Sequence, residues 1–344
     1  MLDQGWIRPS PRHSPPTIAG ELGRTPWGLG AKRGISVRTV AILALVTANV
    51  IWGTTFVATK PLLDHVPPLT LAAARFVIAL VVLLPLLACS GRRPILNRTT
   101  AVMGFTGVFV VYVCQNLGLG YTSAANGALI HGGIPAFTAL LAAPALGERL
   151  GGRRWIGIGV SLTGVAAVVL LSPGGGFGLS ALGDGLVLIS ALGLATYFVL
   201  GRRAFPGGGS LELVGGVACF GLLFLLPASG VELAIGGMER PAVGDLLGLL
   251  YLGAVASALA FVLWAHGLRH LEAGQAAVFA NLNPLVGVLV AALALNEPIT
   301  TFQIGGGLFI LGGVWLATHR TSATTAQLVS PAVPGSSLAE LAAA

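Results

Sequence analysis

Residues Tyr121–Glu148 read YTSAANGALIHGGIPAFTALLAAPALGE, and after a basic loop Trp155–Val165 continue with WIGIGVSLTGV. An apolar stretch is broken near its middle by Pro135 and closed by Glu148, and a second apolar stretch with spaced glycines follows. The pattern returns without a gap at an offset of 149 residues (297 − 148), so that Pro135 meets Pro284, Glu148 meets Glu297, Gly157 meets Gly306 and Gly164 meets Gly313. From Gly118 to Val165, fifteen of forty-eight positions are identical to their partners. Self-similarity of this length marks an internal repeat: the chain is two copies of one unit.

Hydrophobic residues fill 55% of the 344 positions and charged residues only 9%, against about 25% charged in an ordinary soluble domain. Such a chain cannot cover a water-facing surface. Its apolar residues fall in runs of about 20, each long enough to cross a bilayer as a helix. The formal charge of +7 therefore points to arginines in short loops, not to a nucleic-acid partner. Cys89, Cys114 and Cys219 all lie in apolar runs and form neither a disulfide framework nor a metal-ligand spacing. Neither Lys32 nor Lys60 follows a glycine, so no phosphate-binding loop is present, and no His-Glu-x-x-His or Gly-x-Ser-x-Gly occurs. No enzyme activity, metal or cofactor is expected.

In chain order, residues 1–36 are rich in Pro, Gly and Arg and predict a disordered basic cytoplasmic tail. Ten apolar runs follow, and residues 321–344 form a second cytoplasmic tail. Sixteen of the nineteen basic residues fall on one side if ten spans are drawn with the N-terminus inside. Units 37–172 and 184–320, joined by a Gly-rich linker at 173–183, are then offset by five spans, an odd number. Copies offset by an odd number of crossings run in opposite senses. The expected fold is an all-α polytopic membrane protein of ten transmembrane helices arranged as two inverted five-helix repeats, multi-pass in a bacterial plasma (inner) membrane, with both termini cytoplasmic.

Trp52-Gly53-Thr54-Thr55-Phe56, Ala74-Arg75-Phe76, the Pro135–Glu148 segment and Asn283-Pro284 through Glu297 together resemble the EamA-type families of the drug/metabolite transporter superfamily. The resemblance covers about residues 40–320. Leu194-Ala195 stands where the second copy would carry a Trp-Gly pair. The resemblance implies a secondary transporter that moves a small organic metabolite or drug-like solute by alternating access, with export the direction of many relatives. The alternatives are an importer of the same fold and a non-transporting scaffold or lipid-handling protein. Oligomeric state is not legible.

The candidate site residues follow from what lipid does to polar groups. Pro135 and Pro284 each free a backbone carbonyl that must find a partner, so the breaks face protein or a water-filled cavity. Around them stand Asn126 and His131 in one copy and Gln275, Asn281 and Asn283 in the other. The two readings are a substrate-lined centre and a pair of structural kinks. His131 is open to three roles: bonding substrate, carrying a coupling proton, or packing against a neighbouring helix. Arg75 lies about 10 Å deep at the usual helical rise and is expected to point inward. Trp52, Tyr121 and Trp264 are candidates for the cavity wall or for an interfacial belt. Glu148 and Glu297 are expected as gates or loop anchors, bonding amides at the start of the next helix. No acidic residue falls at a span centre, Asp184 being placed at the start of the sixth span.

Overall fold

The computed structural model of the protein describes residues 36–148, 150–171, 178–204, 211–238, 241–270 and 279–318, and all regular structure there is helical. The helices are α1 (Val37–Thr59), α2 (Pro68–Cys89), α3 (Arg98–Leu119), α4 (Ala124–Leu146) and α5 (Gly152–Leu171). The second unit contributes α6 (Leu179–Ala204), α7 (Leu211–Gly236), α8 (Val243–Gly267), α9 (Leu282–Ala294) and α10 (Thr301–Thr318). Among the described residues nine helices are long and apolar enough to cross a bilayer, and α9 is a shorter apolar one.

Local chemistry sets several of the ends. Asn97 and Thr100 form a reciprocal capping box that opens α3, and the Ser123 hydroxyl accepts from Asn126 N–H to open α4. The repeat-related residues Gly147 and Asn296 (296 − 147 = 149) both take left-handed backbone, with φ of 68° and 51°, immediately before Glu148 and Glu297. A side chain without a local hydrogen-bonding group costs about 1–2 kcal/mol in that conformation. Gly147→Val is therefore expected to lower stability by about that amount, and Asn296→Gly to leave it unchanged or slightly raised. Thermal unfolding of the purified variants in detergent checks both.

The glycines settle how the two units sit. A Cβ on Gly157 would lie 2.7 Å from Gly313 O, and one on Gly164 would lie 2.6 Å from Gly306 O. Numbers rise along α5 as they fall along α10, so these repeat-related helices cross antiparallel with their backbones in contact. The broken helices behave alike. Gly132 of α4 faces Pro284 of α9, with 3.0 Å from a Cβ on Gly132 to the proline Cβ, and Gly287 faces Ala128. The two units are inverted with respect to each other, as the odd offset requires.

Two features lie outside what apolar periodicity can indicate. α3 carries a π-helical segment at Phe105–Val110 and α8 one at Tyr251–Leu259. Shifting the first by 149 residues puts it on residues 254–259, inside the second, so the distortion belongs to the repeat. Such segments widen a helix locally and gather at functional sites. Phe76 and Leu80 of α2, Met103 and Val108 of α3, and Val217 and Leu225 of α7 form a large buried apolar cluster around them.

Candidate substrate site

Arg75 is 2% exposed and lies seven residues into α2 (75 − 68), about 10 Å from its start at the usual helical rise. A cation at that depth costs roughly 3 kcal/mol or more unless its surroundings compensate. Here the compensation comes from neutral groups. The guanidinium Nε donates to Ser257 Oγ at 2.5 Å, and its carbon sits 4.5 Å from the centre of the Tyr112 ring. Phe76 packs edge-on against the same ring, with centroids 4.9 Å apart. Ser257 comes from the π segment of α8. That segment also lets Trp52 Nε1 donate to Ala256 O at 3.0 Å and pairs the Tyr251 hydroxyl with Thr54. Trp52 in turn packs against Phe261 and Trp264, at 5.2 and 5.4 Å between centroids.

Beside this group lies a cavity walled by α2, α3, α6, α7 and α8, including Phe76, Gly107, Tyr197, Val217, Ser257 and Phe261. Its volume is about 20 Å³, room for a single water. The described conformation is closed around it.

The sequence-predicted residues fall into separate groups. Trp52, Arg75 and Trp264 meet at α8, as described. Asn126 and His131 meet α6 instead. Asn126 Nδ2 donates to both carboxylate oxygens of Asp184 at 3.2 Å, Thr122 Oγ1 donates to the same carboxylate at 2.5 Å, and Gln303 Nε2 donates to Asn126 Oδ1 at 2.8 Å. His131 Nε2 is 3.0 Å from Ser190 Oγ, and its ring stands edge-on to Phe56. Pro284 lies at the α4–α9 crossing against Gly132, Asn281 and Asn283 stand at the start of α9, and Pro135 opens the half of α4 that packs mainly on α6. Asn283 O closes on Gly53, and Asn283 Oδ1 has no hydrogen-bond partner among the described residues. Gln275 lies outside the described residues.

Of the two places open to Tyr121, cavity wall or interfacial belt, its 49% exposure beyond the end of α3 fits the belt. Two expectations need correction. α6 begins at Leu179, so Asp184 is fully buried inside the helix and does not start it. Glu297 does not bond the start of the next helix. It accepts from Ala124 and Ala125 N–H, at 2.9 and 3.0 Å, at the start of α4 in the other unit. The inverted packing sets the end of α9 beside that N-terminus, and sequence adjacency does not show it. Tyr112, Tyr197 and Ser257 were not singled out from the sequence. A phenol or hydroxyl inside an apolar run was the available signal, and for Tyr112 and Ser257 the π segments turned it to a face that regular periodicity does not assign.

Among the described residues, ten helices in two inverted five-helix halves, closed around a buried cation and a small chamber, define a polytopic membrane protein of the transporter class. The EamA-like transporter family matches residues 39–170 and again 181–334, and the chain belongs to that family. It is 28% identical over 287 residues to the Bacillus subtilis transporter YetK, covering 81% of this chain and 87% of that one. A protein of Streptantibioticus cattleyicolor described as a probable terminal-alkyne amino-acid exporter is 28% identical, with 82% and 94% covered. An Escherichia coli protein described as a probable amino-acid metabolite efflux pump is 26% identical, with 81% and 94% covered. One crystal structure shares the fold at a TM-score of 0.58 and 22% identity, over 84% of this chain and 99% of that one.

Proposed function

We propose that the protein is a secondary exporter, moving a small organic metabolite out of a bacterial cytoplasm by alternating access. The first unit is residues 37–172 and the second starts with α6 at Leu179 and runs to 320, with tails 1–36 and 321–344 on the cytoplasmic side. One observation carries the mechanism: an ion pair at each end of the bundle, related by the repeat. Lys60, at the end of α1, faces Glu297 at 3.6 Å, and Arg202, at the end of α6, meets Glu148 at 2.5 Å. The repeat matches Glu148 with Glu297 and, more faintly, Lys60 with Arg202. Two inverted halves that exchange conformations exchange which of these ends is open. The Lys60–Glu297 end is also tied by the Asp184–Asn126–Gln303 bonds, whereas the Arg202–Glu148 pair is half exposed and shares its end with the partly exposed Arg92–Glu212 pair.

Charge supports the orientation. Arg92, Arg93, Arg98, Arg153, Arg154, Arg202 and Arg203 lie at the end where α1 starts, and Asp64, Glu232, Asp245 and Glu297 at the other. Basic loops stay in the cytoplasm. Export, and amino-acid-like metabolites as the first solutes to try, rest on the names of the relatives.

Inside-out vesicles holding the protein are expected to accumulate labelled amino-acid derivatives or organic acids saturably, and to stop when ion gradients are dissipated. Failure across a broad panel of such solutes overturns the transport reading. A reporter inserted after Asp64 is expected to read periplasmic and one after Arg92 cytoplasmic; the opposite pair overturns the topology.

A further inference from the structure

We propose that Arg75 and the chamber beside it form an anion anchor, and that the transported class is small organic monocarboxylates with an apolar body. This rests on the transport reading above and names its substrate. The ion pairs among the described residues are Lys60–Glu297, His65–Asp245, Arg92–Glu212 and Arg202–Glu148. Arg75 belongs to none of them. A guanidinium has five N–H donors in a fixed fork. One is used on Ser257, the ring of Tyr112 covers a face, and neither terminal nitrogen has a hydrogen-bond acceptor among the described residues.

An arginine kept for structure inside a membrane bundle spends its donors on helix carbonyls or on a carboxylate. Arg75 does neither, and the fork left open is the group that binds a carboxylate through two parallel bonds. Its neighbours are arranged to hold that fork still. Ser257 is turned toward it by the π segment of α8, and Gly253 of the same segment admits the α2 backbone, a Cβ there falling 2.8 Å from Arg75 O.

The chamber supplies the rest of the selection. Apart from Ser257 and the Tyr197 hydroxyl, its walls are apolar: Phe76, Leu83, Val108, Leu194, Val217 and Phe261. An apolar body fits such walls. A free ammonium group does not, because no carboxylate lines them among the described residues. The anchor therefore favours acids without an amine, or with the amine acylated, over zwitterions, and over cations most of all. At about 20 Å³ the chamber admits no such solute as described. Substrate entry must part α2 and α8 from α3, α6 and α7.

The test uses the full-length purified protein and four probes of one shape: phenylacetate, phenylacetamide, phenylalanine and phenethylamine. Binding is read from quenching of tryptophan fluorescence, and flux separately in proteoliposomes. Phenylacetate is expected to bind saturably and at least tenfold more tightly than its neutral amide, with phenylalanine weaker than phenylacetate and phenethylamine silent. Arg75→Gln is expected to abolish the preference for the acid over the amide. Arg75→Lys should keep part of it, and Ser257→Ala should weaken it severalfold while the protein stays folded. Equal binding of acid and amide by the wild type overturns the anchor, as does an unchanged preference in Ser257→Ala and Arg75→Lys if Arg75→Gln does not fold. Acid-selective binding with no flux leaves the anchor standing and removes the transport reading. Saturable flux without acid selectivity does the reverse.

Discussion

Gly164→Val is expected to abolish recovery of folded, monodisperse protein, whereas Gly159→Val, one and a half turns away on the same helix, is expected to be silent. Both replace a helical glycine in α5 by the same residue, so helix propensity cancels in the comparison. What differs is the space. A Cβ on Gly164 would lie 2.6 Å from Gly306 O and 2.7 Å from Ile310 N, both backbone atoms of α10, whereas nothing lies within 4 Å of one on Gly159. Overpacking against side chains that can move costs about 1–3 kcal/mol. Here only separation of two helix axes relieves the clash, so the loss should exceed about 3 kcal/mol. Gly313→Val and Gly312→Val repeat the experiment on the partner helix: Gly313 meets Gly157 and Ser161 backbone, and nothing lies within 4 Å of a Cβ on Gly312. Size-exclusion profiles and thermal unfolding of the four variants check this. A folded Gly164→Val of near wild-type stability would mean the α5–α10 crossing is not where the inverted halves are joined.

These glycines also show how far the sequence leads. Gly157, Gly164, Gly306 and Gly313 are legible as close-packing positions because the repeat pairs them and lipid offers few other reasons for glycine at such spacing. The inversion is legible from the odd offset, and the inward direction of Arg75 from the cost of leaving it in hydrocarbon. The partners of Arg75 are a different matter. Face assignment along a span assumes about 3.6 residues per turn, and π segments at Phe105–Val110 and Tyr251–Leu259 break that register beside the site. Tyr112 and Ser257 lie beyond or within those segments, so their faces cannot be counted from the span ends. The helix ends matter too. Five extra residues at the start of α6 move Asp184 from a loop edge to the inside of a polar network with Thr122 and Asn126. Leu179-Ser180-Ala181-Leu182-Gly183 carries no capping or charge signal that separates a helix start from the Gly-rich loop before it.

Glu297→Ala is expected to open the end of the bundle at which Lys60 lies, and Glu148→Ala to leave the opposite end almost unchanged, although the repeat makes the two glutamates equivalents. The surroundings set the difference. The first N–H groups of any helix have no partner within it. In α4 the Glu297 carboxylate takes two of them, Ala124 N–H at 2.9 Å and Ala125 N–H at 3.0 Å, and the Ser123 hydroxyl takes the third. The carboxylate also lies at the positive end of the helix dipole. Hydrogen bonds to a charged group contribute about 1.5–3 kcal/mol each. Losing this cap should shift a closed-to-open equilibrium by roughly 3 kcal/mol, on the order of a hundredfold. The Glu148–Arg202 pair has side chains 30% and 52% exposed. Pairs of that kind contribute about 0–1 kcal/mol. Leu119, 1% exposed and packed with Phe56, Ala124 and Ala125, reports the opening once it is made cysteine and Cys89, Cys114 and Cys219 are replaced. Its reaction with a small polar thiol reagent in detergent should quicken at least tenfold in Glu297→Ala and stay within about threefold in Glu148→Ala. Glu297→Gln keeps an acceptor oxygen for α4 but loses the charge, and should fall between wild type and alanine. Lys60→Met removes the ion pair and the bond that Lys60 Nζ donates to Thr122 O but leaves the helix cap in place, and with its lysine 35% exposed it should fall well short of Glu297→Ala. If Lys60→Met instead matches Glu297→Ala, the ion pair and not the helix cap closes this end, and the asymmetry argued here is wrong.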